Sequence, residues 1–132
     1  MRFNYVRYGS VLRPVIPITV RHGRKEIEYH VLVDSGADIC VFNEEVGLAL
    51  GMSVRRGIPK TLFGVGGKSS VYYVHGVDIG VGGKFKDTEV AFMPNVAGHV
   101  MQYGIVGQRG FFDRFIVSFD LLKGEIRLKG RT

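Results

Sequence analysis

Short runs of apolar or alternating residues, separated by tight glycine-containing turns, cover most of the chain. A run that alternates apolar with polar residues is typical of a half-buried strand, and a fully apolar run is typical of a buried one. The runs are rich in Val, Ile, Phe and Tyr, which favour strands. The pattern therefore predicts a mainly β protein. The predicted strands are 15–20, 27–33, 39–42, 77–81, 88–93, 115–120 and 125–128, with a glycine-tipped hairpin over 61–74.

Two short helices are predicted among these strands. The first covers 43–51, where Asn43 can cap the N-terminus and Gly51 can take the left-handed conformation that ends a helix. Gly47 in its interior weakens this prediction slightly. The second, with an aromatic face, covers 111–115.

Length and composition indicate a single domain, residues 1–132, that can bury a substantial core. Residues 1–10 are expected to form a loosely held arm, because nothing in them forces a strand. The start of the chain lacks the apolar core of a signal peptide, and no stretch is long enough to span a bilayer. The single cysteine, Cys40, excludes an intrachain disulfide and is expected to be small, buried and unreactive. We therefore expect a soluble, cytoplasmic protein.

The charge balance is basic, with a formal net charge of +6 and a pI near 9.7. Nucleic-acid-binding proteins often share such a balance. The 18 Lys and Arg residues, however, occur in short scattered clusters rather than in one basic run. A nucleic-acid-binding barrel would also need exposed aromatic residues between the cations, whereas Phe111, Phe112 and Phe115 are expected in the core. A solvated basic surface without a specific nucleic-acid partner is therefore favoured.

A carboxylate stands at the end of one apolar strand. Residues 31–33 are apolar and lead directly into Asp34, which is followed by three small residues. Because an unpartnered buried carboxylate is costly, Asp34 is expected to be paired, hydrogen-bonded or catalytic. The small residues let the backbone turn sharply and approach other groups closely. For an isolated Asp-Ser-Gly sequence, an ordinary turn would be the preferred interpretation.

Three motifs, in this order, resemble those of the retropepsin-like aspartic proteases, the single-domain relatives of retroviral proteases. They are Asp34-Ser35-Gly36-Ala37, the hairpin tip Phe63-Gly64-Val65-Gly66-Gly67, and Ile105-Val106-Gly107. The resemblance runs from about residue 15 to about 128, and the stretch 110–120 is closer in style to bacterial members than to viral ones. It implies an all-β fold: a closed or partly open β-barrel of the acid-protease type, with one or two short helices and a flap hairpin.

The reaction that the resemblance implies is hydrolysis of peptide bonds in an extended polypeptide. Water must lose a proton while the carbonyl oxygen gains one, so an acid and a base are needed together. Two adjacent carboxylates provide both, because they cannot ionise together cheaply and therefore share a proton. The chain has only one Asp-Ser/Thr-Gly sequence. The second carboxylate is therefore expected to be Asp34 of a second copy, across the two-fold axis of a homodimer.

The resemblance further implies that the chain termini, near 1–7 and 125–128, contribute interleaved strands to the dimer interface. No metal and no other cofactor is expected, since the four histidines are far apart and lack metal-ligand spacing. The alternative to an endopeptidase is a catalytically inactive peptide-binding or interaction module with the same fold.

The resemblance also assigns roles around the motif. Ser35 would hydrogen-bond across the dimer, and Gly36 would let the loop approach the catalytic water. Asp38 could accept substrate amides, pair with an arginine, or remain a solvated loop carboxylate. The predicted catalytic residues are Asp34, Ser35 and Gly36. The predicted substrate-binding residues are Ala37, Asp38, Gly64, Val65, Gly66, Gly67 and Ile105.

One position departs from the viral pattern. Viral members usually place an arginine directly after the glycine of the second apolar-Gly motif, where it braces the active-site loop. Here Gln108 holds that position. We therefore hypothesise that Arg109 or Arg114 pairs with Asp38 instead.

Overall fold

The computed structural model describes residues 1–63, 69–94 and 102–131. Over these residues it has twelve strands, one α-helix and one 3-10 turn. The helical segments are α1 (Glu44–Ala49) and the 3-10 turn Val54–Arg56. The strands are β1 (Arg2–Asn4), β2 (Val6–Tyr8), β3 (Val11–Arg13), β4 (Val15–His22), β5 (Lys25–Val33), β6 (Cys40–Asn43), β7 (Ile58–Phe63), β8 (Ser69–Val81), β9 (Lys84–Met93), β10 (Gly104–Val106), β11 (Phe115–Asp120) and β12 (Glu125–Gly130).

Six of these strands close into a barrel. Their order is β4-β5-β10-β6-β9-β8, and β8 returns to pair with β4 between Thr19–Arg21 and Asp78–Gly80. Strand β7 pairs with β8 outside this ring as the first arm of the hairpin. The prediction of an all-β barrel is confirmed, and the barrel is of the closed kind.

The short strand β10 is central to the barrel because it joins two parts of the chain that are distant in sequence. It runs parallel to β5 on one side, with Val106 opposite Val33, and antiparallel to β6 on the other. The parallel pairing brings the ends of β5 and β10 to the same edge. The residues that follow each strand therefore lie side by side.

The barrel core is formed by inward-facing side chains, of which Phe42, Phe92 and Phe111 are the largest fully buried ones. Helix α1 packs closely on this core, since a Cβ on Gly47 would lie 2.6 Å from Cγ2 of Val54. Packing thus explains a glycine that intrinsic helix propensity disfavours. Asn43 caps α1 as predicted, accepting a hydrogen bond from the amide of Glu45 at 3.2 Å.

A second sheet has the order β1-β12-β11, and β2 pairs with β3 as a separate ribbon. The first residues of the chain therefore form paired strands where a loosely held arm is expected. Arg2–Asn4 pair with Glu125–Arg127, and the N-terminal ammonium donates to the carbonyl of Leu128 at 2.8 Å. The sequence alone could not predict this pairing because its two strands lie at opposite ends of the chain.

Two further elements differ from those predicted. Strand β8 runs unbroken from Ser69 to Val81 and includes the separately predicted strand 77–81. The helix predicted at 111–115 is wrong: residues 111–114 form turns and Phe115 begins β11, while Gly110 has φ 101° and its amide donates to Oδ1 of Asp113 at 3.1 Å. No helix in the described part of the chain is long and apolar enough to cross a membrane.

Candidate active site

Asp34 lies directly after β5, at the edge where β5 and β10 end together. Its amide donates to the carbonyl of Val106, the last residue of β10, at 3.0 Å. The preceding residue, Val33, is buried, and Asp34 itself is half-buried. The barrel thus fixes the backbone of Asp34 while its side chain retains access to solvent.

The residues after Asp34 form a tight loop that orients the Asp34 carboxylate. The amide of Gly36 donates to Oδ1 of Asp34 at 2.9 Å, and the amide of Ala37 donates to its carbonyl oxygen at 3.2 Å. A Cβ on Gly36 would lie 3.3 Å from Oδ1, which is a crowded contact. The small residues predicted to permit a close backbone approach therefore do so here. Ser35 is exposed on this loop.

The segment after β10 lies against this loop and holds it through backbone hydrogen bonds. The amide of Gln108 donates to the carbonyl of Ala37 at 2.8 Å, and that of Arg109 donates to the carbonyl of Asp38 at 3.0 Å. Gly107 makes this approach possible, because a Cβ there would lie 2.7 Å from the carbonyl oxygen of Ile39. The glycine of the second apolar-Gly motif is therefore required by contact with the Asp34 loop.

The side chain of Gln108 adds another contact to the loop. Its amide nitrogen Nε2 donates to the carbonyl oxygen of Ser35. Gln108 thus holds the loop with a neutral amide at the position where viral members usually have an arginine. The sequence analysis did not predict this contact. The departure from the viral pattern at Gln108 was the available signal, because a glutamine side chain can donate as well as accept a hydrogen bond.

The hypothesis that an arginine pairs with Asp38 is wrong for the described residues. Arg114 donates instead to the carbonyls of Ile79 and Lys84, both at 3.0 Å, and burial lowers the pKa of its guanidinium. The backbone amide of Arg109 donates to the backbone carbonyl of Asp38. None of the ion pairs within 1–63, 69–94 and 102–131 includes the Asp38 carboxylate.

A cavity of about 410 Å³ opens beside the loop. Two of the predicted substrate-binding residues, Ala37 and Asp38, line it. Ile105 is half-buried in β10, where it pairs with Leu32 and Val41, and does not line this cavity. The rest of the wall is mostly apolar and includes Ile39, Val41, Tyr72, Ala91 and Met93.

The predicted flap is described only in its two arms. Strands β7 and β8 pair antiparallel from Ile58–Val74 up to Phe63–Ser69. The tip residues Gly64, Val65, Gly66 and Gly67 lie outside the described residues. Tyr72, on the β8 arm, lines the cavity beside the Asp34 loop. The hairpin therefore lies next to the cavity that Asp38 borders.

Cys40, just beyond the loop, is a buried structural residue, as predicted. Its side chain is inaccessible to solvent, and Sγ lies 3.4 Å from the carbonyl oxygen of Arg109. Burial raises the pKa of the Cys40 thiol to about 11, so the reactive thiolate is scarce near neutral pH.

Comparison with known proteins identifies the family to which this arrangement belongs. Residues 16–109, more than two thirds of the chain, match the family model described as aspartyl protease. The chain belongs to the aspartyl protease family. The matched range includes the Asp34 loop and the Gly107 segment that holds it. No curated protein matches this aspartyl protease family member significantly.

Solved structures place this family member among the retropepsin-like folds. A retropepsin-like aspartic protease from Rickettsia conorii is 12% identical with a TM-score of 0.65, covering 97% of this chain and 90% of its own. The retroviral protease-like domain of Ddi1 from Leishmania major is 16% identical with a TM-score of 0.63, covering 91% and 90%. The EIAV protease complexed with the inhibitor HBY-793 is 24% identical with a TM-score of 0.52, covering 78% and 88%. At these identities the likeness shows the fold alone.

Proposed function

We propose that this chain is an aspartic endopeptidase that cleaves extended polypeptides as a homodimer, with Asp34 of each copy forming the catalytic pair. The observation that carries this proposal is the position of Asp34. Its carboxylate is oriented by the Gly36 amide on a loop that two strands and the Gly107 segment hold in place. A chain with one such loop, in an aspartyl protease fold, provides half of a carboxylate pair.

The proposed reaction needs only the two carboxylates, one shared proton and a water molecule. The ionised Asp34 takes a proton from water as the water oxygen attacks the peptide carbonyl carbon. The protonated Asp34 of the other copy donates its proton to the carbonyl oxygen, giving a neutral tetrahedral diol. The carboxyl that received the water proton then gives it to the leaving nitrogen. The C–N bond breaks while a diol hydroxyl returns its proton to the other carboxylate.

The dimer proposal is supported by strand edges that lie open among the described residues. Strand β12 is paired with β11 along its whole length, and with β1 over Glu125–Arg127, beyond which Leu128 bonds to Met1. A second copy that extends this sheet can therefore add at β11, or at β1 and the last residues of β12. We favour β11, because Ile116 is 48% exposed, Phe119 is 44% exposed and Leu122, in the turn that follows, is 98% exposed. An open strand edge with apolar side chains favours pairing with another chain.

A peptide-library digest combined with a measurement of mass in solution tests the proposal. We expect the wild-type protein to be dimeric and to cleave peptides, and Asp34→Asn to be dimeric, folded and inactive. Asp87→Asn is the matched control, since Asp87 is exposed on β9 and does not line the cavity beside the loop. Activity in Asp34→Asn would remove Asp34 from the mechanism. A monomeric wild type without peptidase activity would favour the inactive binding module.

The cytoplasm is the proposed setting. It rests on the sequence, in which a lone cysteine makes an intrachain disulfide impossible, and is supported by the buried position of Cys40.

A further inference from the structure

Asp38 is the one charged residue on the wall of the 410 Å³ cavity, as far as the described residues define that wall. Its carboxylate has no ion pair or side-chain hydrogen bond with residues 1–63, 69–94 or 102–131. The loop does not depend on the Asp38 charge for its position, because Gln108 holds it through neutral hydrogen bonds to Ser35 and Ala37. Asp38 is exposed, so its negative charge is accessible to a ligand that enters the cavity.

Two cations line a separate, smaller pocket. Lys60 and Arg109 line a cavity of about 100 Å³ together with Glu89, whose carboxylate offsets one of their charges. The two cavities share Ile39 and Tyr72 as a common wall. In the described structure neither cation forms an ion pair with Asp38. Over the described residues, the larger cavity thus combines a mostly apolar wall with one carboxylate that forms no ion pair.

We propose that this cavity is a substrate subsite that selects a lysine or arginine side chain, with Asp38 as its counter-charge. The aliphatic stem of such a side chain would lie against Val41, Ala91 and Met93, and its cationic end would reach the carboxylate. This inference rests on the proposed function. In the homodimer each copy contributes one such cavity, so a basic side chain is preferred at positions on both sides of the scissile bond.

The expected preference is about tenfold over a neutral side chain of the same shape, as for one charge-assisted hydrogen bond at a solvent-accessible site. The overall charge of the chain works against it, since a net charge of +6 repels cationic peptides. A preference for basic side chains must therefore come from a local anion. Its dependence on Asp38 identifies that anion.

Cleavage of a peptide library provides the first test. We expect wild type to cut about tenfold more often next to Lys or Arg at the position that enters this cavity. Asp38→Asn should lose that enrichment, and Asp38→Glu should retain it. Asp87→Asn, which removes the same charge elsewhere on the barrel, should cut like wild type. Cleavage without enrichment, or enrichment that persists in Asp38→Asn, overturns the inference while leaving the proposed function in place.

Binding provides a second test that does not require turnover. The probes are two capped octapeptides, one alternating valine with arginine and the other alternating valine with citrulline, the neutral isostere of arginine. On the Asp34→Asn background we expect a Kd about tenfold lower for the arginine peptide, and no difference once Asp38→Asn is added. If this difference is found but no peptide is ever cut, the endopeptidase proposal fails and the subsite stands. Equal affinities, or no binding of either peptide, overturn the subsite.

Discussion

Replacing Gly107 with alanine tests whether the segment after β10 holds the Asp34 loop as closely as the structure shows. The new Cβ would lie 2.7 Å from the carbonyl oxygen of Ile39 and still closer to that of Ala37, well inside normal contact, and both of these groups are backbone. Neither can move aside as a flexible side chain would. The loop must therefore shift by several tenths of an ångström.

The cost in stability follows from the known effect of overfilling a packed site. Overfilling a well-packed site destabilises by about 1–3 kcal/mol, and for a chain of this size each kcal/mol lowers Tm by about 4 °C. We therefore expect Gly107→Ala to lower Tm by about 4–12 °C. The shift falls on the loop that carries Asp34, so we also expect a loss of peptidase activity of about 10-fold, since a displacement of about 1 Å can cost about 100-fold.

Thermal unfolding followed by circular dichroism, together with a peptide-cleavage assay on the same samples, measures both effects. Gly76→Ala is the matched control: Gly76 lies in β8, has no positive φ, and a Cβ there would meet nothing within 4 Å. That variant should melt and cleave like wild type. A Gly107→Ala protein with unchanged Tm and activity would refute the close approach between the Gly107 segment and the Asp34 loop.

Three smaller predictions follow from individual contacts. Gln108→Leu should reduce kcat without abolishing it and lower the free energy of unfolding by about 1 kcal/mol, because one hydrogen bond to Ser35 is lost; equal kcat in both proteins would contradict this. Asn43→Ala should cost about 1 kcal/mol in urea unfolding, because the amide of Glu45 loses its cap; an unchanged midpoint would show that the cap contributes nothing. Burial raises the pKa of Cys40 from 9.0 to about 11, so the unfolded chain releases the proton first and stability should fall by about 2–3 kcal/mol between these pH values. A Cys40→Ala variant should lack this pH slope, and an equal slope in both proteins would exclude Cys40 as its source.

Local sequence patterns correctly predicted those elements whose signal lies within a single segment of the chain. The alternation in 27–33, which turns fully apolar before Asp34, predicted β5 because burial increases toward its end. Asn43 and Gly51 marked the ends of α1 because a cap and a left-handed stop are local devices. The barrel was predicted from the family resemblance, which rests on three motifs that occur in a fixed order.

Contacts between distant segments could not be predicted in the same way. The hydrogen bond from Gln108 to Ser35 spans 73 residues, and nothing near either residue indicates the other. The pairing of Phe3 with Ile126 likewise depends on where the barrel places the two chain ends. The helix predicted at 111–115 failed because Gly110, in a left-handed conformation, starts a turn that Asp113 stabilises. In each case tertiary geometry overrode the local pattern.

Subunit mixing tests most directly whether two Asp34 carboxylates from two copies form one site. Wild-type protein and Asp34→Asn are mixed at equal concentrations, allowed to exchange subunits, and assayed at constant total protein. If only a dimer with two aspartates is active, random pairing leaves about a quarter of the activity of undiluted wild type. A site contained within one chain would leave about half, and that result would contradict the account.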